Sequence, residues 1–318
     1  MSVSSSPVKK ILLASPRGFC AGVSRAIAIV ELVLEKFGSK PVYVLHEVVH
    51  NRHVVQDLAQ KGVIFVENID EVPDGSILIF SAHGVSVKIE AKAKAKNLKI
   101  FDATCPIVDR VHRKVRRLSA EDSEVIMIGH SGHQEVEGTL GQYTSSKGKM
   151  YLVTRAEDCA KLEVQDESNL HFVTQTTLSV DETKNCIQAL QERFHGIAGP
   201  SLNDICYATQ NRQQAVKTVA QQADVVLVVG SKNSSNSNRL SEVARTAGCK
   251  SFLIDDYKDI TPEMLADVNV VAVTGGASAP ECLINDLLAY LLKNGFSQIE
   301  ESGSEPEKQN FKMPSELM

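Results

Sequence analysis

The stretch Ile11–Cys20 (ILLASPRGFC) contains the pattern on which this chain is built. A short apolar run predicts a buried strand, a polar turn follows, and the cysteine opens a helix-like run that we expect to extend over Ala21–Phe37. Cys105 and Cys206 also stand between a short apolar run and a helix-like run, roughly one small domain apart along the chain. The three matching cysteines predict three repeated domains that share one metal centre.

Composition is that of an ordinary globular protein. The chain has 318 residues, 43% of them hydrophobic and 23% charged, which suits two or three domains. The formal net charge is −5 and no long uninterrupted basic stretch occurs, which argues against nucleic acid as the main partner. Clustered cations could still bind a small anion locally.

The compartment follows from three features of the sequence. No run reaches the roughly 18 apolar residues of a membrane span, and residues 1–10 lack the apolar core of a signal peptide. We therefore expect a cytoplasmic protein without a membrane partner. The seven cysteines include no CxxC pair, and a disulfide framework is disfavoured in a reducing compartment, so metal binding or catalysis better explains any special subset.

Each repeat contains further strands that end in polar loops. These strands are predicted at residues 42–45, 125–128 and 225–229, then at 77–80, 172–173 and 270–273, and the helices that follow the cysteines at 21–37, 107–118 and 212–223. Alternating apolar strands and helices predict three pseudo-repeated α/β domains with mostly parallel sheets, whose ligands collect beyond the strands' carboxyl ends. We place these domains at residues 10–104, 105–203 and 204–293, followed by a C-terminal tail at 294–318, of which residues 301–309 look solvated and flexible.

The three matched cysteines are candidate metal ligands. Backbone N–H groups at a helix N-terminus favour the thiolate form of a cysteine, and three thiolates could hold zinc or an iron–sulfur cluster. A four-iron cluster with only three cysteine ligands would leave one iron open to substrate. The remaining cysteines lack this placement and are expected to be structural: Cys159, Cys186, Cys249 and Cys282.

An anion pocket and a proton donor are predicted at the same strand ends. Imidazoles, hydroxyls and an amide suit a phosphate or diphosphate, and here they are His50, His83, His133, Ser234, Ser235, Asn236 and Ser278. A helix is predicted from residues 237–239 to about 247. Neither a P-loop nor a GxGxxG motif occurs, so a nucleotide is disfavoured. Glu135 could deliver protons, and Thr176 and Thr177 could relay or orient them.

Taken together, these motifs resemble those of the 4-hydroxy-3-methylbut-2-enyl diphosphate reductases. The resemblance runs in order from about Lys10 to Leu292 and rests on PRGFCAGV (16–23), HEVVHN (46–51), SAHGV (81–85), DATCP (102–106), GHSGHQE (129–135), QTTLS (175–179), SKNSSNSNR (231–239) and GASAP (276–280). It implies reductive dehydroxylation of an allylic diphosphate to isopentenyl and dimethylallyl diphosphates, the last step of the non-mevalonate isoprenoid pathway.

The resemblance also implies roles for the candidate residues. Cys20, Cys105 and Cys206 would hold a central [4Fe–4S] cluster whose fourth iron binds the substrate hydroxyl. Glu135 would supply protons through Thr176, and the two electrons would come from a donor such as reduced flavodoxin or ferredoxin. The diphosphate would be held by His50, His83, His133, Ser234, Ser235, Asn236 and Ser278, with Thr177 as a further substrate contact.

Two other interpretations remain open at this point. A quinolinate-synthase-like enzyme would also have three α/β repeats around a three-cysteine cluster, but the SKNSSNSN loop points away from it. A zinc or iron–sulfur sensor without enzymatic activity would usually have a nucleic-acid or partner-binding module, and the sequence shows neither.

Overall fold

The structure is a computed structural model that describes residues 9–200, 204–305 and 307–318. Strands of the described residues are β1 Lys9–Ser15, β2 Val42–Leu45, β3 Val63–Val66, β4 Ile77–Phe80, β5 Lys99–Asp102, β6 Glu124–Ile128, β7 Met150–Val153, β8 Leu170–Thr174, β9 Val225–Val229, β10 Lys250–Ile254, β11 Val270–Gly275 and β12 Phe296–Gly303. Helices are α1 Ala21–Phe37, α2 Arg52–Gln60, α3 Val87–Ala95, α4 Pro106–Ala120, α5 Gln134–Leu140, α6 Ala156–Cys159, α7 Val180–Arg193, α8 Tyr207–Ala220, α9 Ser235–Thr246 and α10 Glu281–Lys293.

Three parallel sheets confirm the predicted α/β class. Their strand orders are β10-β9-β11-β1-β12, β3-β2-β4-β5 and β7-β6-β8, and the strand pairs within them run parallel. Parallel strands need covered faces, which explains their continuous apolar runs, such as the fully buried Val225–Val229. The strand ends carry the polar loops on which the site prediction rests.

The first strand does not pair within the sheet of the predicted first domain. β1 instead lies between β11 and β12, with Leu12 opposite both Ala272 and Glu300. Its alternate side chains enter two different core clusters, Ile11 in one and Leu12 in the other. A strand that is apolar on both faces needs an interior position with helices on both sides, and the five-stranded sheet provides one.

The predicted C-terminal tail is partly a strand. β12 pairs along β1, beginning with the buried Phe296, so residues 301–303 do not form the expected flexible segment. An edge strand tolerates the polar composition that suggested a tail. Lys10 and Arg17 also place their cationic groups 2.8 and 2.7 Å from the carboxylates of Glu300 and Glu301.

The segment before Cys206 also differs from the expectation. The described residues 204–205, directly before Cys206, do not form a strand. Asp204 is instead buried, and its carboxylate accepts a hydrogen bond from the Thr174 N–H at 3.3 Å. Residues 201–203 lie outside the described part. Helix α8 begins directly after Cys206, five residues before the predicted start, and α9 begins two residues early because the Ser234 hydroxyl caps it.

The chain divides into two compact units. The first unit comprises the described residues of 1–20, 50–52 and 207–309 and holds the five-stranded sheet; the second comprises residues 21–49, 53–206 and 310–318 and holds the other two sheets. Within the described residues, no helix combines the length and the hydropathy that a membrane span needs.

Candidate functional site

In the first unit, the Cys20 loop is joined to the turn after β11. The Cys20 N–H donates to the Ala277 carbonyl at 3.1 Å, and the next residue, Ser278, donates its hydroxyl to the His50 carbonyl at 2.8 Å. Cys20 itself stands directly before α1. One candidate metal ligand and two candidate substrate residues, His50 and Ser278, are thereby brought together in this unit.

The Ser/Asn-rich loop of the same unit begins a helix. Ser234 caps α9, accepting from the Ser237 N–H at 3.3 Å, so Ser235 and Asn236 lie in its first turn. The Asn236 side chain is 4% exposed, and neither its amide nitrogen nor its amide oxygen has a partner among the described residues. A buried amide without partners is costly unless a ligand satisfies it, which fits a bound polar group here.

A buried arginine, which the sequence did not single out, supports the Cys20 loop. Arg212 of α8 is 1% exposed and donates to the Gly18 carbonyl at 2.9 and 3.1 Å and to the Phe19 carbonyl at 3.4 Å. Its guanidinium also pairs with the Glu307 carboxylate at 3.0 Å. Five rigid donors in one plane can satisfy several carbonyls at once, as this position requires. A single arginine in a helical pattern gives no sequence signal for that role.

In the second unit, Cys105 is joined to the turn after β4. The Cys105 N–H donates to the Ala82 carbonyl at 3.0 Å, beside His83. Cys105 is the N-cap of α4 and Pro106 is its first residue, where the missing N–H has no cost. On the preceding loop, Arg25 of α1 donates to the Thr104 carbonyl at 3.0 Å, so an arginine supports this cysteine loop too.

A glycine and a buried histidine fix the shape of the His83 turn. Gly84 has a φ of +74°, and a Cβ there would lie 2.5 Å from the ring of His112, so only glycine fits. Burial, with the nearby charge of Arg116, lowers the pKa of His112 to about 4. His112 is therefore a neutral packing residue at neutral pH.

The two candidate imidazoles of this unit lie side by side. The rings of His83 and His133 have centroids 5.9 Å apart and are nearly perpendicular, at 85°. His133 caps α5, accepting from the Glu135 N–H at 3.1 Å, while the ring of His83 lies 3.3 Å from the Ser81 hydroxyl. The cap at His133 fixes where Glu135 begins its helix.

Glu135 is a buried carboxyl with two donors. Its side chain is 3% exposed, and its two oxygens accept from the Thr176 N–H at 2.6 Å and the Thr176 hydroxyl at 3.0 Å. Burial raises the pKa of Glu135 to about 7, although the two bonds from Thr176 oppose that shift and the charge of Asp204 adds to it. A carboxyl that titrates near neutral pH can act as a general acid.

The backbone N–H of Cys206 makes the same kind of hydrogen bond as those of Cys20 and Cys105. Its N–H donates to the Thr176 carbonyl at 3.0 Å. Each candidate ligand thus donates its backbone N–H to a turn that carries a candidate substrate or proton-transfer residue: Cys20 beside Ser278, Cys105 beside His83, and Cys206 at Thr176 itself. Thr177 lies next in this turn and accepts from the Gln175 amide at 3.0 Å.

The seven cysteines fall into three groups by environment. Cys20, Cys105 and Cys206 are half-buried and stand directly before helices α1, α4 and α8. Burial raises the pKa of Cys186 to about 11 and also raises those of Cys159 and Cys249, so these thiols stay protonated in the core. Cys282 is exposed on α10. The first group is therefore the one that is both partly exposed and placed at helix N-termini.

The three candidate cysteines are divided between the units. No group of three His, Cys, Asp or Glu side chains that could hold a metal ion is found among the described residues. Cys20 belongs to the first unit, and Cys105 and Cys206 belong to the second. Two further histidines lie in the loops after β2 and β6. The ring of His46 lies 2.9 Å from the Glu67 carboxylate, and the backbone N–H of His130 donates to the Gln175 side chain at 3.0 Å.

Comparison with known proteins identifies the family. A model of the LytB protein family matches residues 11–292. The 4-hydroxy-3-methylbut-2-enyl diphosphate reductase of Serratia proteamaculans is 57% identical over 309 residues, which cover 97% of this chain and 97% of the relative. The enzyme of the same name from Actinobacillus succinogenes is 54% identical over 308 residues, covering 97% of this chain and 98% of the relative.

Solved structures agree with this match. The E-1-hydroxy-2-methyl-but-2-enyl-4-diphosphate reductase of Plasmodium falciparum is 37% identical, has a TM-score of 0.93, and covers 98% of this chain and 97% of its own. A second reductase structure, described as the terminal enzyme of the non-mevalonate pathway, is 31% identical with a TM-score of 0.62 and covers 90% of this chain and 99% of its own. Matches over almost the whole length of both partners show that the chain belongs to the LytB family of 4-hydroxy-3-methylbut-2-enyl diphosphate reductases.

Proposed function

We propose that this chain performs the family's reaction with the residues described above. The enzymes of this family are iron–sulfur oxidoreductases of the non-mevalonate pathway that act on a diphosphate substrate. The substrate is (E)-4-hydroxy-3-methylbut-2-enyl diphosphate. Its allylic C–O bond breaks, a C–H bond forms, and two electrons and two protons are consumed, which gives isopentenyl or dimethylallyl diphosphate and one water.

Cys20, Cys105 and Cys206 are the proposed ligands of a [4Fe–4S] cluster. The repeated N–H bond from each cysteine to a neighbouring site turn is the observation that carries the proposal, because it ties every ligand to a substrate or proton-transfer residue. Bound there, a cluster with three protein thiolates supplies electrons and one Lewis-acidic iron open to the substrate hydroxyl. The protonated core cysteines do not compete for it.

The diphosphate is proposed to bind imidazole, hydroxyl and amide donors: His50, His83, His133, Ser234, Ser235, Asn236 and Ser278. The buried amide of Asn236 would gain the partners that it lacks among the described residues. Hydrogen bonds between this amide and the phosphate oxygens would remove the cost of leaving it buried without a partner, which favours binding.

Glu135 is the proposed proton donor and Thr176 the relay. When protonated, the acid can donate to the Thr176 hydroxyl, 3.0 Å away, and that hydroxyl can donate onward to the substrate. Thr177 would help to orient the substrate. A pKa of about 7 keeps a large fraction of Glu135 protonated at neutral pH, which is what a general acid needs.

Three further proposals complete the assignment. Reduced flavodoxin or ferredoxin is the proposed electron donor, and the cytoplasm the proposed compartment. The domain boundaries at residues 105 and 204 are proposed as the limits of the repeats. The quinolinate-synthase-like and sensor alternatives are set aside because the family match covers residues 11–292.

Anaerobic turnover tests the proposal directly. The purified chain, incubated with the hydroxylated allylic diphosphate and dithionite-reduced methyl viologen, should form both isoprenoid diphosphates. Cys105→Ser should lose bound iron, sulfide and turnover because one of three thiolates is gone. Cys282→Ser, a matched control at an exposed position, should keep all three. Full iron, sulfide and activity in Cys105→Ser would refute the ligand assignment.

A further inference from the structure

The cations of this acidic chain are concentrated in one segment. The whole chain has a net charge of −5, yet residues 87–121 contain ten Lys or Arg and four Asp or Glu, a net charge of +6. This segment comprises α3, β5, the Cys105 loop and α4. A local potential of opposite sign to the rest of the molecule is a feature that acts on charged partners.

The exposed cations of α4 lie along one side of the helix. Arg110, Arg113 and Arg117 are exposed and follow one another at spacings of three and four residues, which places them on the same face. Lys114 instead is half-buried and donates to the Phe172 carbonyl at 3.2 Å. The exposed arginines therefore do not serve the core.

Helix α3 extends this charged face. Lys88 and Lys94 are exposed on α3, and a cleft of about 370 Å³ that Lys94 and Arg116 both line lies between the two helices. The Arg116 guanidinium lies 3.8 Å from Glu90, which shows that the helices are neighbours. We call the exposed surface of Lys88, Lys94, Arg110, Arg113 and Arg117 the basic face.

Acidic neighbours reduce the charge of this face only partly. Asp109 lies 3.0 Å from the Arg113 guanidinium, and Glu121 lies 3.8 Å from that of Arg117. Exposed ion pairs of this kind contribute little free energy and are screened by salt. The arginines can therefore exchange these acids for the carboxylates of a partner protein. Five exposed cations against these acids leave the face positive.

The position of the basic face relates it to the reaction. Helix α4 begins directly after Cys105, a proposed cluster ligand, and Arg110 lies only about one and a half turns farther along. The reaction needs two external electrons, and the sequence has no dinucleotide-binding motif. We propose that the basic face is the docking surface for an acidic one-electron carrier protein, an inference that rests on the proposed function.

The shape of the basic face favours a protein over a small anion. The arginines are spread over about 10 Å of α4, from the 1.5 Å rise per residue, and the lysines add the width of a second helix. Transient redox complexes have small interfaces, and complementary charge mainly accelerates their formation. Two dockings of a one-electron carrier would supply one turnover, with the carrier oxidised each time.

A charge-reversal variant tests this assignment with the intact holoenzyme. Arg113→Glu/Arg117→Glu should raise the KM for reduced flavodoxin by about tenfold or more at low salt and flatten its dependence on ionic strength. Turnover with dithionite-reduced methyl viologen should stay unchanged, because a small cationic radical needs no basic face. Lys184→Glu/Lys293→Glu, the same charge change on exposed residues of α7 and α10, should leave both reactions unchanged.

Other results would distinguish an error in the docking surface from an error in the proposed function. An unchanged KM in the arginine variant, or an equal rise in the lysine control, would overturn the docking surface while leaving the proposed function intact. Wild-type protein that is inactive even with methyl viologen would refute the proposed function itself. If the arginine variant loses affinity for a short RNA oligomer but not for flavodoxin, the basic face is a nucleic-acid site and the proposal is wrong.

Discussion

Two carboxyls, the half-buried Glu307 in the first unit and the buried Glu135 in the second, have different environments. In the first unit, Glu307 faces the guanidinium of Arg212 at 3.0 Å. In the second unit, Glu135 accepts from the N–H and hydroxyl of Thr176, and burial raises its pKa to about 7. Glu307 is thus paired with a cation, whereas Glu135 is held by uncharged donors and can gain and lose a proton near neutral pH. The first arrangement suits a structural role and the second a catalytic one.

The two carboxyls also have different neighbours along the chain. Glu307 belongs to the C-terminal segment and completes the support of the Cys20 loop, which Arg212 contacts through two carbonyls. Glu135 follows a histidine cap in a segment that also carries the anion-binding candidates. Mutating each carboxyl and its hydrogen-bond partner shows whether the surroundings of the carboxyl determine its role.

The largest effect is expected from Glu135→Gln. Glutamine keeps the shape, and its carbonyl oxygen can still accept from the Thr176 N–H, but it has no acidic proton to give. Turnover should fall by about 10²–10⁴-fold, the usual range for loss of a general acid, while the affinity for the diphosphate stays close to wild type. Single-turnover kinetics and substrate titration measure the two quantities separately.

Glu137→Gln is the matched control for that variant. Glu137 lies two residues farther along α5 and is exposed, so its substitution should leave turnover unchanged. Wild-type turnover of Glu135→Gln over the whole pH range would contradict the proton role.

The next largest effect is expected from Arg212→Met. The substitution leaves Glu307 without its partner and removes the donors to Gly18 and Phe19, so the unfolding free energy should fall by about 3–5 kcal/mol. Urea unfolding followed by circular dichroism measures the loss. Iron retention should fall as well, because the carbonyls just before Cys20 lose their support.

Glu307→Gln should cost less, because an amide oxygen can still accept from Arg212. The double variant Arg212→Met/Glu307→Gln should be less destabilised than the two single losses added together, since no charge stays buried alone. A loss below about 1 kcal/mol in Arg212→Met would show that the buried pair does not support the loop.

Local sequence patterns predict many of the helices and strands of this fold, but they do not predict which distant strands pair. The limits of α1, the proline at the start of α4 and the strand Val225–Val229 follow from periodicity and turn residues close in sequence. The pairing of β1 with β11 and β12 joins segments more than 250 residues apart, and nothing in the local sequence specifies that choice.

The candidate site shows the same limit. The strand-end setting pointed to Cys105, His83 and Glu135, because polar residues after apolar runs are visible in the sequence. It did not point to Arg25 or Arg212, which act through backbone carbonyls that any residue could provide. Nor could it assign a pKa near neutrality to Glu135, since that value comes from burial, which only the folded chain creates.

The smallest and most specific effect is expected from Thr176→Val. The hydroxyl of Thr176 donates to the Glu135 carboxylate and favours its charged form, so removing it should raise the pKa of Glu135 further, by about one unit for about 1.4 kcal/mol of lost interaction. The general acid works while protonated, and activity therefore declines as the pH rises through that pKa. In Thr176→Val the decline should begin at higher pH, and the maximal rate should be lower because the relay is lost. Thr176→Ser keeps a hydroxyl and should retain the wild-type profile. A decline at the same pH in the valine and serine variants would show that this hydroxyl does not set the protonation of Glu135, and burial alone would then account for its raised pKa.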